Sequence, residues 1–445
     1  MLSQRQTDQL AVKFKERLQA LSIDTLATQS GFVKRKPRKI QPLYFLLSFF
    51  KVVLTESNSF RALAIAIGLS CCCVVSKQAV HKRVKVPLVK FLEMVLSACL
   101  AAEIKGKDKA LYPNVFKRFK NAYIQDSTTI TLDPKLAKYF PGSRNHTKKQ
   151  SAIVRIQTVF NLVKEKFAYF KLTAFTQNDQ QASSLILKII KKGDLVIRDL
   201  GYLVLRVIKE IQAKGAYYIS RLKYGIALYE VDGQTPLHLF SALKKHGRLD
   251  IAVCVGQKEK LRARLVAIPL PPEVAAERRR KAKANRDRRC HPSKEHLALL
   301  GWEIFITNID CQLFTAEQIA QLYELRWRIE MVFKAWKSHF HLTNVPKGSA
   351  IRVKSYIYAM LIFITIFQTH VYIRLYRENQ KRNERQLSLL KLTRFFKEQI
   401  WAVILFIEKQ KPITQEEIET QIFYHCLYDL RTDRQNHVQK IEALG

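Results

Sequence analysis

The run Tyr323 to Lys337 reads YELRWRIEMVFKAWK and contains neither proline nor glycine. Most of its residues are good helix formers, so it predicts one continuous helix. At about 100° per residue, Tyr323, Arg326, Glu330 and Lys337 fall within an arc of about 60°, with Lys334 at its edge. Leu322, Leu325, Ile329, Val332, Phe333 and Trp336 form an adjoining apolar face that can dock on a core. Such a helix lies against a folded body and presents, over about 21 Å of axis, a carboxylate flanked by cations and a phenol. That combination suits a divalent metal with phosphates around it. It also describes an ordinary amphipathic helix with a solvated charged face.

Composition narrows the partner. The chain has 445 residues, which predicts two or three domains. Lys and Arg number 76 against 37 Asp and Glu, a formal charge of +39. That excess favours a polyanionic partner, nucleic acid first and an anionic membrane surface second. The N-terminus, MLSQRQTDQLAVKFKERLQAL, reads as a polar amphipathic helix without the apolar centre of a signal peptide. The apolar run Tyr356 to Phe367 is too short to span a bilayer comfortably and predicts a buried helix. Eight cysteines occur without CxxC spacing, three of them consecutive at Cys71, Cys72 and Cys73, which predicts neither a zinc site nor a disulfide framework and fits a reducing, cytoplasmic setting.

Residues 1 to 115 are helical in pattern. A basic cluster (Lys34, Arg35, Lys36, Arg38, Lys39) surrounds Pro37. Beyond an apolar helix, Tyr44 to Leu54, Ser59 can cap a helix that Gly68 ends. Ser76 can cap a second helix, KQAVHKRVK, rich in Lys77, Gln78, His81, Lys82 and Arg83. The pair resembles a helix-turn-helix for DNA, although any helical domain can produce such a pair. From residue 116 the period changes. YIQDSTTITL alternates, with Ile124, Asp126, Thr128 and Ile130 on one face, so Asp126 stands among apolar neighbours and needs a partner. Asp133, beside Pro134, reads as a turn residue. Strands Ala152–Leu162 and Phe167–Phe175 follow, then a helix Gln180–Lys191. A short buried strand, Leu195–Ile197, runs into Asp199 and Gly201, the kind of strand exit where α/β sheets place ligand contacts. Asp194, at the start of the same strand, is the weaker candidate. A helix, Val204–Lys214, and a strand, Tyr217–Leu222, close the block. Further strands are predicted at 227–231, 250–255 and 261–268, followed by a proline-rich break, the basic segment Arg278 to Arg289, and a strand Trp302–Thr307. His339 and His341 read as helix-end surface residues, and Cys290–His291 is unconvincing as a site. There is no internal repeat, Walker-type glycine loop or GxSxG.

Tyr323, Arg326, Glu330 and Lys337 match in all four positions the Tyr/Arg/Glu/Lys signature of bacterial insertion-sequence transposases, the IS-four branch of the DDE superfamily. The resemblance covers roughly residues 40 to 375. It implies an α/β fold: a ribonuclease-H-like catalytic core, a mixed sheet flanked by helices, at 116–223 and 302–375. A largely β insertion at 224–301 interrupts it, with an N-terminal helical DNA-binding region at 1–115 and a C-terminal helical tail at 376–445. The order of three strands, helix, strand, helix, strand resembles that core, with the first Asp on strand one and the second after strand four.

By the same resemblance, Asp126, Asp199 and Glu330 hold two Mg²⁺ ions, for which Mn²⁺ can substitute, and these clamp the attacking and leaving oxygens of an in-line phosphoryl displacement. Water nicks the element end, and the freed 3′-hydroxyl then attacks target DNA. Arg326 offers a planar fork for a phosphate oxygen, Lys334 and Lys337 point charges, and Tyr323 a hydrogen bond or a stacking face. Trp302 stacks on a flipped base or simply packs in the core. The implied partners are double-stranded DNA, as terminal repeats and as target, and a second copy of the chain in a synaptic dimer, with no membrane and a nucleoid-associated, cytoplasmic place of action. A stand-alone Mg²⁺-dependent nuclease of the same fold and an inactive DNA-binding descendant are the alternatives. The tail is open to dimer contact, target contact or capping.

Overall fold

Strand β1 (Ala122–Leu132) is the axis of the molecule. Its β-branched alternation gives two faces, and both are covered. The computed structural model describes residues 20–35, 39–71, 73–105, 111, 116–144, 150–284, 292–382, 386–398, 423 and 437–444. The predicted N-terminal helix up to residue 19, Lys36, Pro37, Arg38, Cys72, Arg286, Arg288, Arg289, Cys290, His291 and most of the tail beyond Glu398 lie outside the described residues.

The fold is mixed α/β. β1 pairs antiparallel with β3 (Gln150–Asn161) on one side and parallel with β5 (Leu195–Arg198) on the other. β6 (Tyr217–Arg221) continues the parallel set, and β10 (Trp302–Thr307) joins β6 antiparallel. Along the outer edge of β3, β2 (Pro141–Arg144) pairs with its first residues and β4 (Lys166–Ala174) with the rest. The described strands of the predicted insertion join the same sheet. β9 (Leu261–Pro269), β8 (Leu249–Val255) and β7 (Leu228–Tyr229) extend from β10, and the whole is one ten-stranded sheet. The proline-rich break serves as the start of a helix, Pro272–Lys283, where a missing N–H costs nothing.

One buried cluster lies on the face of β1 that carries Ile124 and Ile130. It includes Ile197, Phe305, Ile329 and Phe363, together with Phe45, Phe49 and Leu92 from the N-terminal helices. Phe49 meets Tyr356 at 4.9 Å and Phe50 meets Phe363 at 5.9 Å between ring centroids. The N-terminal helices thus share this core with the helix Ala350–Ile366. The second cluster, with Val159, Val196, Val207, Tyr218 and Leu265, fills the opposite face.

Several local expectations change. The predicted helix Gln180–Lys191 is one short helix, Asp179–Ala182, followed by a 3₁₀ stretch, Ser183–Lys188. Gly68 does not end its helix, which runs from Phe60 to Cys71. Instead the Cys73 carbonyl returns to 2.7 Å from the place a Cβ would occupy, so glycine permits a close backbone approach. The apolar run at Tyr356 belongs to a helix continuous from Ala350 to Lys381, long enough to cross a membrane, but 72% of its apolar window is buried inside the protein. Ser59 and Ser76 cap as predicted, accepting from the backbone N–H of Ala62 and Ala79. Asp133 caps the turn Pro134–Leu136.

Candidate active site

The last parallel register pair between β1 and β5 is Gln125 with Arg198. The next residues on the two strands are Asp126 and Asp199, so both carboxylates emerge side by side where the parallel pairing ends. This is the end of a parallel sheet at which ligand sites form.

The third carboxylate comes from helix, and here the sequence expectation needs correcting. Tyr323 to Lys337 is not one continuous helix. It divides into Ala316–Glu324 and Trp327–Ser338. At the junction, Leu325 and Arg326 donate to carbonyls three residues back, at 3.3 and 3.0 Å, which tightens the turn without proline or glycine. A capping box of Thr315 and Gln318 fixes the start of the first helix. The predicted apolar face holds: Leu322, Leu325, Ile329, Val332, Phe333 and Trp336 are all buried.

This arrangement brings four of the predicted residues together with Asp126. Tyr323 Oη donates to Asp199 Oδ1 at 3.2 Å. Arg326 reaches Asp126 Oδ2 with Nη1 at 3.4 Å and Glu330 Oε1 with Nη2 at 2.6 Å. Burial, with Asp199 and Glu330 adding to it, pushes the Asp126 carboxyl up to about 7 against the pull of Arg326 and of the Ser127 N–H. Burial works against the Arg326 charge, but Tyr323, Asp199 and Glu330 more than offset it and raise its guanidinium above the ordinary value. Burial and the nearby Asp199 raise the Tyr323 phenol, which stays protonated and able to donate.

The remaining predicted residues are more dispersed. Lys337 is half-buried, and burial lowers its ammonium pKa, while Lys334 is exposed. Trp302 opens β10, and its indole N–H donates to the Gly247 carbonyl at 2.7 Å. Its ring borders a cavity also lined by Leu200, Arg221, Tyr224 and His296, which begins one residue from Asp199. Lys77, Lys82 and Arg83 are exposed on the helix Lys77–Arg83, whose Val80 alone is buried. Asp194 is a structural residue, accepting from Asn121 Nδ2 at 2.9 Å and the Lys191 N–H at 2.8 Å. His341 pairs with Glu56 at 2.8 Å, and the Asn344 amide reaches Glu56 too, at 2.9 Å, so this loop ties to the N-terminal helices.

Arg326 bonds two of the three carboxylates, Asp126 and Glu330, and Tyr323 bonds the third, Asp199. Among the described residues no three Asp, Glu, His or Cys side chains enclose a single ion as they stand. Arg326 occupies the space between Asp126 and Glu330 and balances part of their charge. The donors are all oxygen, the set that hard divalent cations prefer.

Carboxylates gathered at the ends of parallel strands, on a chain of charge +39, are the groups that an enzyme acting on a polyanion would bring together. Residues 117–366, more than half of the chain, match the family model of the transposase DDE domain. The chain therefore belongs to that family, the DDE insertion-sequence transposases, enzymes of DNA cleavage and transposition. It is 28% identical over 390 residues to the transposase for insertion sequence element IS231B of Bacillus thuringiensis subsp. berliner, covering 82% of this chain and 80% of that one. It is 24% identical over 383 residues to the transposase for IS1151 of Clostridium perfringens, with 82% and 80% covered. A shorter match, 36% over 101 residues, is to the putative transposase InsL for IS186A of Escherichia coli (strain K12), covering 22% and 27%. Among solved structures, the piggyBac transposase in a synaptic complex with hairpin DNA aligns over 95% of this chain and 85% of that one, at 9% identity and a TM-score of 0.43, a likeness too distant to assign anything here.

Proposed function

We propose that the chain cuts DNA at the terminal repeats of its own element and joins the freed 3′ ends to target DNA by metal-assisted phosphoryl transfer, with Asp126, Asp199 and Glu330 as the metal ligands. The observation that carries this reading is that Asp126 and Glu330 meet on Arg326 while Asp199, held by Tyr323, follows the strand paired beside Asp126. The strand order β4-β3-β1-β5-β6 supports a ribonuclease-H-like core, with Asp126 on its first strand and Asp199 after its fourth.

Two Mg²⁺ ions, when bound, would supply Lewis-acid stabilisation of the attacking and leaving oxygens. The residues fit them, since the donors are all hard oxygens. The chain's own groups do the rest. Arg326, relieved of charge balancing, offers its fork to a phosphate oxygen. Tyr323 orients Asp199 through its hydroxyl. Lys337 and Lys334 hold the strand further along. Trp302, on the rim of a cavity with Tyr224 and His296, stacks on an unpaired base. Lys77, Lys82 and Arg83 contact the terminal repeats. Residues 1–115 are the DNA-binding region, 224–301 the insertion and 376–445 the tail, and two copies act in one synaptic complex in the cytoplasm.

The test is Mg²⁺-dependent joining of a duplex bearing the element's flanking repeats to a supercoiled plasmid. Joined product is expected from wild type and none from Asp199→Asn. Cleavage without joining would move the reading to a nuclease. DNA binding with neither reaction would indicate an inactive descendant.

A further inference from the structure

Behind the carboxylates, the sheet carries a second polar cluster that none of these roles uses. Side chains alternate along a strand, so the neighbours of Asp126 and Asp199 face the opposite surface of the sheet. Gln125 and Arg198 are paired in register there, and both are 0% exposed. Arg198 Nη2 donates to Gln125 Oε1 at 3.0 Å, to the Ser183 carbonyl at 2.9 Å and to Ser183 Oγ at 2.6 Å. Gln125 Nε2 in turn donates to the Ala182 carbonyl at 2.8 Å. Ser183 Oγ donates to the Tyr202 carbonyl at 3.0 Å, in the turn that follows Asp199.

The same short segment reaches the other side of Asp126. Ser127 Oγ donates to Asp179 Oδ1 at 2.9 Å, and Arg155 holds that oxygen at 2.7 Å. Residues 179–183 therefore bond to the residue on each side of Asp126, to the residue before Asp199 and to the turn after it.

A buried guanidinium is costly, and among the described residues no carboxylate pairs with Arg198. Its Nε and Nη1 have no partner there either. Packing alone would be served better by an apolar residue at the end of the run Leu195–Ile197. Its Nη2 does what an apolar residue does not: it ties β5 to β1 and to the Ser183 turn at once.

We propose that Arg198 is a positioning residue which, through Gln125 and Ser183, locks β1 and β5 in the register that sets Asp126 beside Asp199, with Asp179 fixing the other end of the clamp through Ser127. The inference rests on the reading of Asp126 and Asp199 as metal ligands.

The experiment titrates full-length protein with Mn²⁺ and reads the unbound ion by electron paramagnetic resonance, with circular dichroism melting to establish folding. Arg198→Met is expected to weaken Mn²⁺ binding about 10- to 100-fold, the usual effect of removing a partner that orients metal ligands. Arg198→Lys, which keeps the charge and one donor nitrogen on a shorter side chain, is expected to fall between it and wild type. Folded Arg198→Met that binds Mn²⁺ as wild type does, or more tightly, overturns the proposal. Asp179→Asn, at the partly exposed end of the clamp, provides the same test should Arg198→Met not fold: weaker binding supports the clamp, and unchanged binding overturns it. Asp126→Asn separates the two levels. If it binds Mn²⁺ normally, the ligand assignment fails and the clamp with it; if it does not bind and the clamp variants do, only the clamp fails.

Discussion

Arg326 and Arg328 are two residues apart on the same stretch of chain, and each meets a glutamate, yet their surroundings are opposite. Arg328 faces Glu165, with side chains 2% and 0% exposed. Its Nε lies 3.0 Å from both carboxylate oxygens and its Nη2 is 2.7 Å from one of them. Tyr372 accepts from Arg328 Nη2 at 3.1 Å, and Gln368 donates to the Glu165 carbonyl at 3.0 Å. Both come from the wide helical turn Phe367–Tyr372, and Glu165 itself sits in the β3–β4 hairpin with φ +54°. The guanidinium meets the carboxylate face to face, both carboxylate oxygens are bonded, and three elements are fastened at one point. Arg326, 17% exposed, instead bonds two carboxylates, Asp126 and Glu330, and feels the charge of a third, Asp199. A buried pair bonded on both sides serves the fold, whereas a more open group of carboxylates is what the proposed metal-binding role requires.

The comparison can be broken most decisively at the carboxylates. Asp126→Asn, Asp199→Asn and Glu330→Gln are each expected to reduce cleavage and joining below detection. Their melting temperatures should be equal to wild type or higher, because each removes repulsion within the cluster. Loss of activity together with a large fall in melting temperature would make the open cluster structural after all. At the closed pair the pattern should invert. Arg328→Met or Glu165→Gln alone should cost about 3–5 kcal/mol in urea unfolding, because a buried charge loses its partner. The double change Glu165→Leu with Arg328→Met should recover most of that loss.

Smaller effects sharpen the contrast. Arg326→Lys retains charge but not the fork, and should lower the cleavage rate about 10- to 100-fold with little change in stability. Lys334→Ala should have the least effect. The slope of log affinity for end DNA against log salt should fall by about one, without altering cleavage at saturating DNA. An unchanged slope would remove Lys334 from the DNA path.

Much of the site was legible because its signals are local. The alternation around Asp126, the strand exit at Asp199 and the spacing from Tyr323 to Lys337 are each read within one short stretch of chain. The turn at Leu325–Arg326 was not legible, since no proline or glycine marks it and the tightening comes from how the two helices dock on the core. Glu165 was invisible for another reason: its partner is 163 residues away, and a Lys-Glu-Lys turn reads as solvated. Arg198 left a usable trace, an arginine ending a run of buried strand residues, but its hydrogen-bond partners, Gln125 and Ser183, come from two other segments. The joining of β7–β9 to the same sheet depends on which edge of β10 is free, and strand periodicity does not specify edges.

The most direct test of the open cluster is crystallographic. Crystals of the protein with its end DNA, grown in Mn²⁺, would be measured for anomalous scattering. The account predicts density between Asp126, Asp199 and Glu330, with Arg326 turned from the carboxylates toward a phosphate. Strong anomalous density elsewhere, with Arg326 still bridging Asp126 and Glu330 while DNA is bound, would contradict it.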